Sequence, residues 1–317
     1  MTEELTPSVV APERPRAAAA TTPGPTSSLP AGLVRTARPR QWLKNVLVLA
    51  APLAAGVLGE PEVLGTVAVA FAAFCLVSSG TYFLNDARDA DADRRHPVKR
   101  ARPVAAGIVS VRLAVAVGIA LLVAGFAVAL AASPALLVAV AGYVVLTTTY
   151  TLWLKNVAVL DIATVAGGFF VRAIAGGVAA GVPLSRWFLI VASFGSLFIV
   201  AGKRYGEHAE LGERRGEVRA TLAHYSGAYL RYVWTLASGV TLAAYCLWAF
   251  EEAEARPGAP WFELSIVPFV LGILRYALLV EQGRGSAPEE IVLGDRTLQA
   301  IGLVWVALIG CGVYLGG

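Results

Sequence analysis

The chain has 317 residues, of which 57% are hydrophobic and 15% charged, with a formal net charge of +4. Soluble domains carry about a quarter charged residues, so this composition excludes an ordinary globular enzyme and points the basic balance at a membrane instead of nucleic acid. Cys75, Cys246 and Cys311 each sit inside a long apolar run with no CxxC or Cys/His spacing, which argues against a zinc site or a disulfide framework.

Residues 1–32 come first in the chain. Pro7, Pro12, Pro15, Pro23, Pro25 and Pro30 lie there among Ala, Thr and Ser. Such a stretch buries too little apolar surface to order itself, and it lacks the apolar core of a signal peptide. It reads as a disordered tail, leaving residues 33–317 as one membrane domain. From Trp42 onward, runs of roughly the 20 apolar residues needed to cross a bilayer recur at 43–59, 64–84, 112–132, 135–154, 159–181, 186–203, 227–250, 263–281 and 297–315. They predict an all-α integral membrane protein, a bundle of nine transmembrane helices.

Charge segregates on that count. The tail and the loops after the even-numbered spans carry Arg38, Arg40, Lys44, Arg94, Arg95, Lys99, Arg100, Arg102, Lys155, Lys203, Arg204, Arg214, Arg215 and Arg219. The opposite loops carry Arg186 and Arg256 beside Glu60, Glu62, Glu251, Glu252, Glu254 and Glu263. The positive-inside rule then puts the N-terminus in the cytoplasm.

The second span ends in Asn85-Asp86-Ala87-Arg88-Asp89-Ala90-Asp91-Ala92-Asp93, with Asp86, Asp89 and Asp93 at i, i+3 and i+7, one face of a helix. Carboxylates that close repel unless a cation joins them. Hard oxygen ligands suit Mg²⁺, which bridges one or two carboxylates to a substrate phosphate. Asn85, Asp86, Asp89 and Asp93 are therefore the expected metal set. A solvated helix end is the plainer alternative, which the spacing and the membrane-edge position weigh against.

Next comes the basic loop His96-Pro97-Val98-Lys99-Arg100-Ala101-Arg102-Pro103. Acids beside bases suit a Mg²⁺-diphosphate better than a bare cation, although such a loop is also an ordinary positive-inside signal or lipid contact. Three more polar clusters share this side: Arg38 to Lys44 and Asn45, Tyr150 to Lys155 with Asp161, and Lys203-Arg204-Tyr205-Gly206-Glu207. A helical bundle can gather such groups around one cavity. Arg172 lies in the middle of the fifth span, where a lone charge is expensive, so it is expected to meet a lipid phosphate or a helix-end acid.

The Asn-Asp-x-x-Asp-x-x-x-Asp pattern at Asn85, Asp86, Asp89 and Asp93, set among apolar spans, resembles the UbiA superfamily of intramembrane prenyltransferases. The resemblance implies a helical bundle that uses Mg²⁺ and a diphosphate substrate, in a cavity open to the cytoplasm and, by a side portal, to lipid. Within the superfamily, the strings RPRQWLKN, NDARDADADRRHPVKRARPVAAG, YTLWLKNVAVLDI and APEEIVLGDR are similar to the decaprenyl-phosphate phosphoribosyltransferases. These pass 5-phosphoribose from phosphoribosyl diphosphate (PRPP) to a polyprenyl (decaprenyl) phosphate, for arabinan and arabinogalactan precursors of the cell wall. Superfamily members with aromatic acceptors carry a second acidic box after the sixth span. Here that loop opens Lys203-Arg204-Tyr205-Gly206-Glu207-His208 and has no aspartate, which suits a donor with an additional phosphate.

The resemblance also implies roles. Asp86, Asp89 and Asp93, oriented by Asn85, hold Mg²⁺ on the PRPP diphosphate. Lys44, Asn45, Lys99, Arg102, Lys155, Lys203 and Arg204 bind substrate, chiefly its phosphates. Tyr150, Asp161 and Glu207 position ribose or a metal-bound water, with Asp161 counted as catalytic. The lipid phosphate, with Arg172 as its candidate partner, attacks the anomeric carbon and needs no general base, being already ionised. The expected partners are PRPP, polyprenyl phosphate and membrane lipid, with no nucleic acid; a homo-oligomer is left open. The expected location is the plasma membrane, multi-pass, with the site facing the cytoplasm. Competing readings are a prenyl diphosphate donor, a scaffold for cell-wall enzymes, and a secondary transporter, for which the chain lacks the paired interrupted helices and half-to-half repeat.

Overall fold

The computed structural model describes residues 28–211, 220–256, 258–284 and 288–315. Residues 1–27 of the expected tail, and Arg214, Arg215 and Arg219, lie outside the described residues. Regular structure among the described residues is helical throughout. In chain order it comprises α1 (Leu29–Ala37), a 3₁₀ segment (Pro39–Leu49), α2 (Ala50–Ala55), α3 (Pro61–Arg88), α4 (Ala90–Arg95), α5 (Val111–Ala132) and α6 (Pro134–Leu152). There follow α7 (Leu160–Ala180), α8 (Arg186–Leu211), α9 (Gly227–Ala255), α10 (Trp261–Leu279), α11 (Pro288–Gly294) and α12 (Arg296–Leu315). Among the described residues, eight helices are long and apolar enough to cross a membrane: α3, α5 to α10, and α12.

Local chemistry sets the helix starts. The side chains of Ser110, Ser133 and Ser226 accept N–H bonds from Leu113, Leu136 and Tyr229, capping α5, α6 and α9. Pro134 follows its cap in the first turn, where the missing N–H costs nothing. Ser133 alone, in extended conformation, separates α5 from α6, so the two run antiparallel.

Helix α3 forms the middle of the bundle. Val67, Ala70, Ala73, Phe74 and Val77 are buried in one cluster with Leu136, Val140 and Tyr143 of α6 and Ala175 of α7. Against α5 the backbones nearly touch: a Cβ on Gly80 would stand 2.8 Å from the Gly118 carbonyl oxygen. Close approach through small residues is how helices gain packing energy where lipid removes the hydrophobic drive. Ile119 and Val123 of α5, and Val138 and Val145 of α6, stay exposed on the outer face, as suits a lipid-facing surface.

The structure departs from the sequence reading in two places. Helix α1 begins at Leu29, inside the stretch read as tail. Pro30 suits its first turn, and Gly32 is packed against Ile108 and Val109. The first of the nine expected spans is not an α-helix of transmembrane length. Its buried Asn45, Val48 and Ala51 recur every third position, with Pro52 buried beside the last, the repeat at which 3₁₀ side chains eclipse. A rise of about 2 Å per 3₁₀ residue, with 1.5 Å in α2, carries the chain roughly 31 Å. The segment starts beside Asp86 at the C-terminal end of α3 and finishes where Gly56 meets Val313 near the C-terminal end of α12. It thus runs from one end of the bundle to the other. Gly176 makes this passage possible, because a Cβ there would lie 1.9 Å from the Val48 carbonyl oxygen.

Candidate active site

The charged side chains collect at the end of the bundle where α3, α6, α8 and α10 finish and α5, α7, α9 and α12 begin. A turn at Asp89 separates α3 from α4, yet the Asp89 N–H still bonds Asn85 O at 2.9 Å and the Asp93 N–H bonds Asp89 O at 2.8 Å. Helical register therefore carries through. At 3.6 residues per turn, Asp93 lies about 20° around the axis from Asp86, whereas Asp89 lies about 60° away. Asp86 and Asp93 are accordingly buried together, while Asp89 stays 37% exposed, 4.0 Å from Arg88. The expected three-aspartate cluster is a pair, and among the described residues no set of three or more acids, histidines or cysteines is grouped for a metal.

Two arginines close over the pair. Arg38 Nη2 donates to Asp86 Oδ1 at 2.6 Å, and Arg102 Nη1 reaches Asp86 Oδ1 at 3.2 Å and Asp93 Oδ2 at 2.7 Å. Arg38 adopts a left-handed backbone, φ 55°, which is uncommon for a residue with a Cβ and turns its side chain off α1 toward Asp86. The pair offers the hard oxygens that Mg²⁺ takes, and Arg102, placed between both carboxylates, marks where positive charge is required. Asp86 and Asp93 thus fit a divalent cation.

A second cluster joins α7 to α8. Asp161 is fully buried. Its Oδ2 accepts from Arg204 Nε at 3.3 Å and Thr221 Oγ1 at 3.4 Å, and its Oδ1 from the Tyr225 hydroxyl at 2.5 Å. Arg204 Nη1 turns to Glu207 Oε2 at 2.8 Å, and Lys203 Nζ lies 3.8 Å from the other Glu207 oxygen. Tyr225 also accepts the Val159 N–H. Burial, then the bond to Asp161, pushes the Tyr225 phenol up, so it remains a donor. Val159, φ 71°, is a strained position for a β-branched residue; Tyr225 holds it at the start of α7.

Among the described residues, Arg172, 5% exposed, meets no helix-end acid. Nε donates to Asn45 Oδ1 at 2.7 Å, Nη1 to Gly168 O at 2.7 Å and Nη2 to the Tyr143 hydroxyl at 2.8 Å. Its guanidinium lies 4.4 Å from the Tyr143 ring centre, a cation–π contact. Neutral oxygens and ring faces thus hold this charge. Asn45 completes the chain by donating to Cys75 Sγ at 3.3 Å.

Lys44 ties the clusters together, with Arg38, Arg172, Lys203 and Glu289 within interaction range. Glu289, on α11, accepts from Gln41 Nε2 at 2.7 Å and faces Lys44 Nζ at 3.8 Å. Burial pushes the Glu289 carboxyl up, but Lys44, its own N–H, Gln41 and Lys203 together outweigh it and hold the group below the usual range. Of the other expected residues, Tyr150 stands within range of Arg204. Lys99 opens the turn whose carbonyl receives the Arg102 N–H. The Lys155 carbonyl accepts from Thr221 Oγ1 at 3.3 Å.

Sequence reading passes over Tyr225 and Glu289, and gives Arg38 and Gln41 no role beyond their place in the polar cluster that enters the first span. Arg38 and Gln41 stand in RPRQWLKN and Glu289 in APEEIVLGDR, so the motif strings held a signal for three of them. Tyr225 has none, because its role depends on the loop folding back over Asp161.

Three comparisons bear on this arrangement. The profile described as the UbiA prenyltransferase family matches residues 45–314. The decaprenyl-phosphate phosphoribosyltransferase of Mycobacterium tuberculosis is 48% identical over 297 residues, covering 92% of this chain and 97% of that protein. The protein of the same name from Mycolicibacterium smegmatis is 46% identical over 305 residues, covering 92% and 96%. Among solved structures, a UbiA homolog from Archaeoglobus fulgidus bound to GPP and Mg²⁺ superposes with a TM-score of 0.68 over 89% of this chain and 98% of that one. At 19% identity that likeness speaks for the fold alone.

Proposed function

Because the chain belongs to the UbiA prenyltransferase family, a multi-pass membrane family, we propose that it transfers 5-phosphoribose from PRPP to a polyprenyl phosphate of the decaprenyl type, releasing diphosphate. The observation that carries this reading is near-full-length identity of 46–48% to relatives of that name. The product class would feed arabinan and arabinogalactan precursors. The same reading gives nine crossings, with Pro39–Leu49 and α2 as the first, the N-terminus and the charged end in the cytoplasm, and the plasma membrane as location.

Held by Asp86 and Asp93, Mg²⁺ would supply charge stabilisation to the leaving diphosphate. Arg38 and Arg102 then turn from the aspartates to phosphate oxygens, to which a guanidinium fork is matched. Lys44 and Lys203 neutralise the remaining phosphate charge from the other side. Asp161 spends both its oxygens on Arg204, Thr221 and Tyr225, so it acts as a positioning residue that aims Arg204 and, through it, Glu207. The lipid phosphate oxygen forms a bond to the anomeric carbon as the bond to diphosphate breaks. Rate enhancement comes from positioning and fixed charge.

The test uses the full chain in detergent with Mg²⁺, radiolabelled PRPP and a polyprenyl phosphate. Label is expected in the lipid phase. Alkylation of an aromatic acceptor by a prenyl diphosphate, with no label transferred from PRPP, would overturn the reading.

A further inference from the structure

Among the described residues, the buried side-chain atoms without a hydrogen-bond partner include Glu289 Oε2 and the Tyr276 hydroxyl, near the charged end. They belong to the same neighbourhood, since Glu289 and Tyr276 interact electrostatically. Tyr276 is 4% exposed, on the last turns of α10. Glu289 is fixed from below by Gln41, which binds Oε1 and in turn accepts a bond from Lys44 Nζ. Lys44 Nζ stands 3.8 Å from Oε2, in ion-pair range and too far for a hydrogen bond. The carboxylate is thus braced on one oxygen while the other carries an unmade bond. Buried polar groups are ordinarily satisfied, and one that is not calls for an explanation.

If a ligand supplies the missing bond, the chemistry narrows it. An ionised carboxylate only accepts hydrogen bonds, so it calls for a hydroxyl or N–H donor. Phosphate oxygens would be repelled by it. Yet Lys44 and Lys203, which suit phosphates, lie within interaction range of Glu289, and Arg38 lies within range of Lys44. A ligand that satisfies both is a phosphorylated sugar, with phosphates on the cations and ring hydroxyls on the acceptor. A prenyl diphosphate has no hydroxyl to give, and the carboxylate would only oppose its charge. We propose that Glu289 Oε2, assisted by the Tyr276 hydroxyl, receives the ribose hydroxyls of the donor and selects a pentosyl diphosphate over a prenyl diphosphate. The inference rests on the PRPP reading above and adds the residue that recognises the sugar. Glu289 is a specificity residue; bond making at the anomeric carbon belongs to the charged groups already described.

The experiment compares PRPP with its 2-deoxy and 3-deoxy analogues as donors to a polyprenyl phosphate, using the full-length protein and its Glu289→Ala, Glu289→Leu and Tyr276→Phe variants. Wild type is expected to discriminate against at least one deoxy analogue by roughly ten- to hundred-fold or more in kcat/KM, because a site built to bond a hydroxyl rejects its absence. Glu289→Ala should lower kcat/KM for PRPP by a comparable factor and leave the rejected analogue nearly unchanged, so that discrimination collapses. Equal losses for PRPP and both analogues would overturn the proposal and reduce Glu289 to a brace for Gln41 and Lys44. Should the alanine variant fail to fold, Glu289→Leu, which keeps bulk but offers no acceptor, and Tyr276→Phe carry the same comparison. Absence of any phosphoribosyl transfer by wild type would sink the donor reading itself. Transfer with unchanged discrimination in all variants would sink only the subsite.

Discussion

Arg204 Nε stands 3.3 Å from Asp161 Oδ2, with side-chain exposures of 3% and 0%, so these two residues hold opposite charges in a space that water does not reach. Breaking one half of a buried pair leaves the other uncompensated, at a cost of about 3–5 kcal/mol. Asp161→Ala should therefore cost about 3 kcal/mol, somewhat tempered by Glu207, which also pairs with Arg204. Tyr225→Phe removes one hydrogen bond to Asp161 and should cost nearer 1 kcal/mol. Unfolding midpoints of the purified variants in one detergent check the order. Equal effects would contradict it.

The unequal settings of the three aspartates predict unequal consequences. Asp86→Ala and Asp93→Ala should lower Mg²⁺-dependent transfer by about a thousand-fold, the scale of removing a group that stabilises transition-state charge. Asp89→Ala, at the exposed turn, should lower it by less than about ten-fold. Folding should survive in all three, because Arg38 and Arg102 are about 30% exposed and can turn to solvent. Initial rates across a Mg²⁺ titration measure this. A loss for Asp89→Ala as large as for Asp86→Ala would restore the three-aspartate cluster.

Two glycines make a contrasting pair. Gly176→Ala drives a Cβ into the Val48 carbonyl oxygen, a backbone atom that can move only if the 3₁₀ segment shifts, and should cost about 2–3 kcal/mol. Gly142, inside α6, has nothing within 4 Å of its would-be Cβ. Gly142→Ala should instead be neutral or stabilising by up to about 1 kcal/mol through helix propensity. Thermal unfolding of both variants decides it.

Acid should loosen the α11 strap. Glu289 titrates below the usual carboxylate range in the folded protein. Its contribution to stability is therefore complete above the ordinary glutamate value near 4.3 and is lost as pH falls through the lower folded value. Its charged and titratable neighbours are Lys44, Lys203, Tyr276 and Tyr82. The difference in unfolding midpoint between wild type and Glu289→Gln should be constant from pH 7 to about 5 and shrink below about 4. A difference that grows in acid would reverse the assigned sign.

Most of the bundle was legible because its signals are one-dimensional. Apolar runs such as 112–132 and 135–154 need only length to declare themselves, and they match α5 and α6 within a few residues. The close placement of Asp86 and Asp93 followed from helical spacing. What escaped depends on contacts between distant positions. The 3₁₀ form of Pro39–Leu49 comes from a threefold burial pattern set by α3 and α7. The placement of Glu289 at Gln41 joins residues 248 apart in sequence. Arg172 stands out in the sequence as costly in the membrane, but its partners Asn45 and Tyr143 are neutral, and the expectation of a lipid phosphate or a helix-end acid does not point to them.

The bridge of Arg102 between Asp86 and Asp93 has a consequence for how the mouth changes state. Without ligand the mouth already carries its own counter-ion, so the aspartates need no metal in order to sit side by side. A cation held by Asp86 and Asp93 would take the place of the Arg102 guanidinium. The displaced Arg102, 31% exposed, would then be free to meet an anionic substrate. Loading becomes a swap in which the outgoing charge is retained as a grip.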